Sequence, residues 1–272
     1  MSDLNVGSLT VSSLVFSNSG GTQTKAGATV LTDFANVSPT TPSSNQVLMW
    51  NATTSKWEPA SMPGRLLSIN TYNNDTGAAF ARFQAGLTAT WTKPTGCNSV
   101  LVYVTGGGGG ARTNSNSYRG AGGGGGGTAI KYITNPTTTV AVTVGGGGNE
   151  AYNGGRGATG ATSSFGSYCS ASGGEGGMTD SPYEGGIGGS ATGGDINIPG
   201  GGGTMAHDAN REGGGGMSFW HQAGSNHHYT DSSRWFIMHG RYGSGGSAGY
   251  YSQNDSSYCR GGSGVVIVYN YS

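Results

Sequence analysis

The apolar positions of this chain repeat with the two-residue period of β-strands, and no stretch shows the longer period of an amphipathic helix. Residues 139–144 alternate cleanly and place three valines on one face. Residues 99–104 are almost continuously apolar, which is typical of a strand buried on both faces. We expect residues 265–271 to pair with this strand in the centre of a sheet. The pattern predicts an all-β protein with an antiparallel, sandwich-like domain. Strands are predicted at residues 66–70, 80–83, 87–91, 99–104, 130–133, 139–144, 163–170, 195–198 and 265–271.

The first 35 residues differ from this main domain, because their extended pieces are very short. Such pieces bury their apolar side chains only by stacking against copies of themselves, within one chain or between chains. We therefore predict that residues 1–35 are N-terminal assembly strands, and we expect the chain to form a homotrimer. The pieces lie at residues 4–6, 9–11, 14–16 and 29–31.

Residues 36–64 form a linker and hairpin connector. Pro39 and Pro42 cannot donate hydrogen bonds to a strand ladder, so the segment around them is predicted to be turn-rich. Residues 46–50 and 56–58 flank a five-residue polar stretch, and each carries a tryptophan. This arrangement is a hairpin signal. The remaining residues, 65–272, are predicted to form the main domain.

Glycine accounts for 56 of the 272 residues, while only 10% are charged. Flexible linkers have such compositions, but two of the runs follow directly after predicted strands. A phosphate-binding loop is excluded because no run is followed by Gly-Lys-Ser or Gly-Lys-Thr. We favour polyglycine-II strands, with three residues per turn and hydrogen bonds between neighbours, for at least part of residues 154–264. The longest runs are residues 106–110, 122–127, 145–148, 200–203 and 213–216.

The order of these blocks resembles the glycine-rich domain of bacteriophage tail-fibre and adhesin proteins. The resemblance covers residues 90–272 and rests on the strand 100–104, the glycine runs after it, the Thr-Ala-Ile-Lys-Tyr-Ile strand 128–133, and the terminal Gly-Gly-Ser-Gly-Val-Val-Ile-Val-Tyr of residues 261–269. Residues 1–64 are similar to connectors near the start of such fibres. The resemblance implies a non-enzymatic adhesin in the virion tail fibre, assembled in the host cytoplasm, with loops at its distal end on the host surface.

The partners that follow are a host polysaccharide or outer-membrane protein, and other tail proteins bound through residues 1–64. The net charge of zero gives no electrostatic signature for nucleic acid. No apolar stretch is long enough to span a membrane, and the start of the chain lacks the pattern of a secretory signal. No cofactor is expected. Three cysteines without a paired motif predict free, buried thiols.

The strongest departure from the resembled family is at residues 204–242, where aromatic and histidine side chains interrupt the glycines. Aromatic side chains offer rigid contact area at low entropic cost. We predict that these residues form much of the receptor-binding tip, with further candidates between glycine runs elsewhere. The main set is Trp220, His221, His227, His228, Tyr229, Arg234, Trp235 and Tyr242, and the secondary set is Tyr118, Arg119, Tyr152 and Tyr183.

Several alternatives remain for these residues. Phe219, Trp220 and residues 235–238 are also suited to a small satellite core under long loops. The histidines could ligate a metal together with Asp231, although no metalloprotease motif is present. A polysaccharide-degrading enzyme would need two placed carboxylates, and the acidic residues show no recognisable pairing. A polyglycine-based ice-binding protein would need a flat repetitive face, which the bulky residues at 204–242 oppose.

Overall fold

The computed structural model describes fourteen strands within two compact units. One unit comprises residues 1–65 together with Ser272, and the other comprises residues 66–271. No helix occurs among the residues described, and the named strands pair antiparallel throughout. The described residues are 15–18, 21–24, 36–43, 46–74, 85–112, 120–151, 155–178, 184–205, 213–222, 240–248 and 259–272.

The strands of the first unit form two hairpins, and the second unit holds the remaining ten. The strands are β1 (Val15–Asn18), β2 (Gly21–Thr24), β3 (Gln46–Asn51), β4 (Lys56–Ser61), β5 (Leu66–Tyr72), β6 (Leu87–Thr92), β7 (Ser99–Thr105), β8 (Thr128–Thr134), β9 (Thr139–Val144), β10 (Ser163–Phe165), β11 (Cys169–Ala171), β12 (Ala191–Thr192), β13 (Ile196–Ile198) and β14 (Val265–Tyr271).

In the first unit, β3 and β4 form the predicted hairpin. Trp50 and Trp57 face each other across it, with ring centroids 5.8 Å apart. Ser55 has a φ of 53°, which closes the turn between the strands. Val37 forms an isolated bridge with Trp57 and is buried. Of the predicted pieces in residues 1–35, only that at 14–16 overlaps the described chain, at β1. The pieces at 4–6, 9–11 and 29–31 lie outside the described residues.

The second unit contains a sandwich of two five-stranded sheets. Sheet I has the order β13-β8-β7-β14-β5, and sheet II has the order β12-β11-β10-β9-β6. The predicted pairing of residues 265–271 with residues 99–104 is confirmed, since Val268 lies opposite Val102. Valines from both sheets form the core between them, together with Trp91 and Phe165, which are both fully buried. The all-β, antiparallel sandwich expected from the alternation is therefore present.

Three details of the strand prediction differ from the structure. The sequence does not predict β2 (Gly21–Thr24), which pairs with β1. The predicted strand 163–170 is two strands, β10 and β11, because Gly166 adopts a φ of 50° and turns the chain back. The two-residue strand β12 was not predicted, since so short a segment has no visible alternation. The predicted strand 80–83 lies outside the described residues.

A buried asparagine connects the two sheets. Trp91 Nε1 of sheet II donates to Asn270 Oδ1 of sheet I at 3.0 Å, and both side chains are inaccessible to solvent. Asn270 Nδ2 in turn approaches the Asn70 Oδ1 atom at 2.8 Å and the Ser68 carbonyl at 3.1 Å. All of these polar atoms are satisfied, so the network fixes the register of β14 without leaving an unpaired buried group.

The glycine runs form an ordered array that continues from the sandwich. Successive amides of one segment donate to different neighbours in turn, with a repeat of three residues. Gly106, Gly109 and Arg112 donate to residues 127, 124 and 121, at 2.8–3.0 Å. The amides between them donate to residues 161 and 158, and to residues 262 and 259. A three-residue repeat directed at several neighbours is the hydrogen-bonding pattern of polyglycine-II. The described segments of the array are residues 106–112, 120–127, 145–151, 155–162, 172–178, 184–190, 199–205, 213–218, 240–248 and 259–264.

Two segments, 106–112 and 120–127, occupy the interior of this array. Each is hydrogen-bonded on all sides to six other segments, and the two are bonded to each other. The remaining eight segments close a ring around this pair, each bonded to the next. This is hexagonal packing of extended backbones. The expected polyglycine array is therefore present, and it begins at residue 106 rather than at 154.

A triplet pattern accompanies the outer segments. In segment 184–190, glycine pairs alternate with Glu184, Ile187 and Ser190, and Ile187 is 59% exposed. Segment 172–178 has the same spacing, with Glu175 and Met178 after glycine pairs. With three residues per turn, every third side chain lies on one face of the segment. Outer segments can therefore carry side chains toward solvent, whereas the interior runs 106–110 and 122–127 contain glycine alone.

Candidate functional site

The two ends of the glycine array differ in what surrounds them. Its sandwich end is continuous with the strands, since residue 106 follows β7 and residue 127 precedes β8. At the opposite end, which we call the far end, Arg112 bridges to Ala121 and Ala151, and Ala121 bridges to Met205. The described residues that flank five lengths of chain lie together there. These lengths are residues 113–119, 152–154, 179–183, 206–212 and 249–258.

The far end is fixed by buried side chains. Glu150 Oε2 accepts from Arg260 Nε at 2.6 Å, and only 2% of the Glu150 side chain is exposed. Ala111, Ala248 and Cys259 pack into a small buried cluster of their own. Neighbouring segments of the array lie close together here, and they bury both the Glu150 carboxylate and this small apolar cluster. The described backbone on either side of the five lengths is therefore held by hydrogen bonds and by buried side chains.

At the sandwich end, Ser218 organises a tight turn that contains Trp220 and His221. Its Oγ accepts from the His221 amide at 3.1 Å and donates to the Tyr242 carbonyl at 2.7 Å. Tyr242 has a φ of 45° and is followed by Gly243 at 83°, so the chain reverses sharply at this point. The structure thus brings three of the predicted tip residues, Trp220, His221 and Tyr242, close together.

The turn at Ser218 packs on the outside of sheet I. Trp220 Nε1 donates to Thr105 Oγ1 at 3.0 Å, and Thr105 also shares a 2.8 Å hydrogen bond with Thr128. The rings of Phe219 and Trp220 lie 6.1 Å and 5.4 Å from that of Tyr103, measured between centroids. Phe219 and Trp220 therefore pack against Tyr103, and Phe219 remains 46% exposed. Residues 235–238, which the satellite-core alternative also needs, lie outside the described residues.

The predicted binding residues are not gathered in one place. Trp220, His221 and Tyr242 lie at the sandwich end, whereas the described residues on either side of Tyr118, Arg119, Tyr152 and Tyr183 lie at the far end. The receptor-binding role of all these residues stays a prediction. Outside the described residues are His227, His228, Tyr229, Arg234, Trp235, Tyr118, Arg119, Tyr152 and Tyr183.

His221 is held in its neutral form. Burial lowers its pKa below the ordinary value, and the charge of Arg241 acts in the same direction. Its Nδ1 lies 3.2 Å from Ser244 Oγ. The same hydroxyl oxygen accepts a hydrogen bond from the Arg241 amide at 2.8 Å.

We predict that acidification destabilises the protein through His221. Between the ordinary pKa of about 6.5 and the lower folded-state value, the unfolded chain binds more protons, so the free energy of unfolding falls as pH falls. Urea unfolding at pH 7.5 and pH 5.5 measures this. The variant His221→Gln should show a smaller loss between the two pH values. An equal loss in both proteins would contradict the prediction and assign the effect to other groups.

Several other ionisable groups of the second unit take part in hydrogen bonds and ion pairs. Asp195 accepts from the Tyr132 amide at 2.8 Å, which lowers the pKa of its carboxyl, and it pairs with Lys131 at 3.5 Å. Glu175 pairs with Arg156 at 2.7 Å. All three cysteines are free and buried, as predicted, and burial raises the pKa of Cys169 to about 11.

Metal-binding clusters and membrane-spanning helices are both absent from the described residues. No group of three or more His, Cys, Asp and Glu side chains is placed to hold a metal ion within these parts of the chain. His227, His228, Asp231 and His239, which the metal alternative needs, lie outside them. Nor does any helix there have the length and apolar character needed to cross a membrane.

A family model matches most of the second unit. The model for the glycine-rich domain matches residues 84–271, which is well over half of the chain. The chain therefore belongs to this glycine-rich domain family. The match begins just before β6 and ends on the last residue of β14, so it includes sheet II, all of the array and every strand of sheet I except β5. No curated protein matches the chain.

Proposed function

We propose that this protein is an adhesin of a bacteriophage tail fibre that binds a receptor on the host-cell surface. The observation that carries the proposal is the far end of the glycine array. Five separate lengths of chain, between residues 112 and 259, leave and re-enter a rigid backbone array at one end, opposite the sandwich. Recognition sites are commonly built in this way, from variable loops on a rigid scaffold.

The chemistry of these five lengths suits receptor binding. They contain Tyr118, Arg119, Tyr152 and Tyr183, which are of the residue types that dominate binding energy at protein interfaces. Rigid support reduces the entropy lost on binding, because the backbone on either side is already ordered. Several copies on one virion would raise a weak single-site affinity through avidity. A host polysaccharide or an outer-membrane protein would be the receptor.

Residues 1–64 would connect the adhesin to other virion tail proteins. This division of roles places assembly before the glycine-rich domain and recognition within it. The tail fibre of the virion, assembled in the host cytoplasm, is the location that follows. The connector hairpin of β3 and β4 supports an attachment role, because its tryptophans are 49% and 42% exposed on a two-stranded hairpin. Apolar rings left this open are suited to contact with another protein surface.

Binding of the fluorescently labelled full chain to a panel of bacterial strains tests the proposal. In a strain that binds it, we expect combined alanine replacement of Tyr118, Arg119, Tyr152 and Tyr183 to weaken binding by about 30-fold or more, the effect of losing one interface hot spot. The control is Thr90→Ala, in an exposed position of β6. Circular dichroism and thermal unfolding establish that each variant folds.

A second pair of variants separates the two ends of the array. Trp220→Ala and Tyr242→Ala alter the sandwich end. If these abolish cell binding while the folded far-end variant binds normally, recognition does not occur at the far end and the proposal is wrong in its site. If the chain binds no strain of a panel that supports adsorption of the corresponding virion, the adhesin function itself is wrong.

A further inference from the structure

Strand pairing in the sandwich continues into the glycine array without a shift of register. Thr105 of β7 lies opposite Thr128 of β8. Arg112, seven residues after Thr105, bridges to Ala121, seven residues before Thr128. Five further strand pairs continue in the same way, namely β7–β14, β8–β13, β9–β10, β10–β11 and β11–β12. Each of these hydrogen-bonded ladders therefore extends through both the sandwich and the array.

The ladders run along one axis of the domain. β14 begins beside the array, since Val265 follows segment 259–264, and Tyr271 at its other end pairs with Leu66. Leu66, where β5 begins, therefore lies at the end of the sandwich away from the array. The far end of the array lies at the opposite end of the same axis. At about 3.3 Å per strand residue and 3.1 Å per array residue, β7 and segment 106–112 together extend about 45 Å.

The direction of the ladders decides how the domain resists force. Their hydrogen bonds lie across the direction of the chain. A force along the axis loads the bonds of a strand together, whereas a force across the strands opens them one pair after another. Because a single hydrogen bond contributes little net free energy, resistance depends on how many bonds are loaded at the same time. The domain should therefore be strongest along its axis.

An axial force is concentrated on β5. This strand lies at the edge of sheet I, and among the described strands it pairs only with β14. At the far end, by contrast, the five lengths of chain adjoin all ten segments of the array, and those segments are bonded to one another. A force between the two ends is therefore spread over many segments at the far end and acts on one strand at β5.

Asn270 couples β5 to both sheets. The residue lies in β14, and its side chain is fully buried. Its Nδ2 atom donates to Asn70 Oδ1 at 2.8 Å and to the Ser68 carbonyl at 3.1 Å, both in β5. Its Oδ1 atom accepts from Trp91 Nε1 of sheet II at 3.0 Å. Movement of β5 along the axis must break these side-chain bonds as well as those of the ladder.

We propose that the glycine-rich domain bears tension along this axis, and that Asn270 transfers the load from β5 to both sheets. In an attached virion the tension would act between residues 1–65 and the far end, so the physiological role rests on the proposed function. The resistance itself belongs to the isolated chain and can be measured without a receptor. A failure of cell binding and a failure of this inference are therefore separate results.

Optical tweezers on the full chain test the direction of greatest strength. Handles on Leu66→Cys and Met205→Cys pull along the axis. Handles on Thr90→Cys and Ile196→Cys pull across the strands, because β6 and β13 lie at opposite edges of the sandwich. The three cysteines of the sequence are buried, so the handles attach to the introduced sites. We expect the axial rupture force to be at least about threefold the transverse force at one loading rate, since several ladder bonds are loaded together.

The first axial event identifies the part that yields. Because β5 carries the concentrated load, we expect this event to lengthen the tether by no more than the extended length of residues 66–86, which end before β6. A longer first step would show that the array or the rest of the sandwich yields before β5. Equal rupture forces in the two directions would show that the domain has no load-bearing axis.

Asn70→Ala tests the coupling through Asn270, since it removes an acceptor in β5 and keeps the ladder bonds of that strand. We expect it to lower the axial rupture force by about 1.5-fold and to leave the transverse force unchanged. Thr71→Ala, at an exposed position of β5, is the control and should change neither force. Thermal unfolding establishes that each variant folds. An unchanged axial force, or an equal loss in both directions, would show that Asn270 does not transfer the load.

Discussion

Replacing Gly123 by alanine will prevent the glycine array from packing, and we expect a loss of about 3 kcal/mol or more in the free energy of unfolding. Gly123 lies in the interior segment 120–127, and a Cβ atom there would overlap the carbonyl group of Gly109 in the other interior segment. The Gly109 carbonyl belongs to the backbone, so it cannot rotate away from the added Cβ atom as a flexible side chain could. Both segments are bonded on all sides, so relief would require the surrounding segments to move.

Gly202→Ala is the matched control for this prediction. At Gly202 the nearest atom to an added Cβ is the Gly186 carbonyl oxygen, at 3.7 Å, which is ordinary van der Waals contact. Its φ does not lie in the left-handed region. The substitution should stabilise the protein by about 0.5 kcal/mol, because alanine restricts the unfolded chain. Urea unfolding of both variants provides the measurement, and equal destabilisation by the two would contradict close packing of the interior.

The second large effect is expected at Glu150, whose carboxylate is buried against Arg260 at the far end. Glu150→Ala leaves the guanidinium without this partner. Loss of one member of a fully buried pair costs about 3–5 kcal/mol. Since 27% of the Arg260 side chain is exposed, water compensates in part, and we expect a loss of about 2–3 kcal/mol in the free energy of unfolding.

Glu175→Ala is the matched control, because it removes the same group from another segment of the array. Its ion pair with Arg156 is 2.7 Å long, but the two side chains are 40% and 50% exposed. An exposed pair of this kind contributes less than about 1 kcal/mol. Thermal unfolding at low and high salt distinguishes the two sites, since screening should reduce only the smaller effect. If Glu175→Ala destabilises as much as Glu150→Ala, burial is not the cause.

The sandwich could be predicted because its strands bury one face in the core and leave the other face in water. Val140, Val142 and Val144 alternate with exposed residues, so their spacing alone identified β9 and the face it buries. The interior position of β14, between β7 and β5, agrees with its continuous apolar character. The break between β10 and β11 depends on the positive φ of Gly166, which the two-residue period does not encode. β12 is too short for any period.

The sequence predicted that polyglycine-II strands are present, but it did not predict which residues form them. Inside it, segments 106–112 and 120–127 consist almost wholly of glycine, so no side-chain pattern distinguishes them from a linker. The outer segments do carry a pattern, because a residue other than glycine occupies every third position, as at Glu184, Ile187 and Ser190. That spacing is the sequence signal of a segment with three residues per turn and one exposed face.

The grouping of the candidate site could not be predicted from the sequence. Trp220 and His221 are close in the chain to residues of the far end, such as Met205, yet segment 213–218 returns them to the sandwich end. Which end a residue occupies depends on how many segments precede it. Composition identified residues suited to binding, but the direction of each segment decides which of them can act together.

The glycine array has a consequence for how the protein responds to temperature. The sandwich is stabilised by burying valine, tryptophan and phenylalanine, and this contribution weakens on cooling. The interior of the array buries peptide groups in hydrogen bonds and almost no hydrocarbon. Exposure of polar surface lowers the heat capacity of the unfolded chain, whereas exposure of apolar surface raises it. The two halves of one domain therefore have opposite heat-capacity signatures, and the array keeps its stability in the cold, where the sandwich loses part of its own.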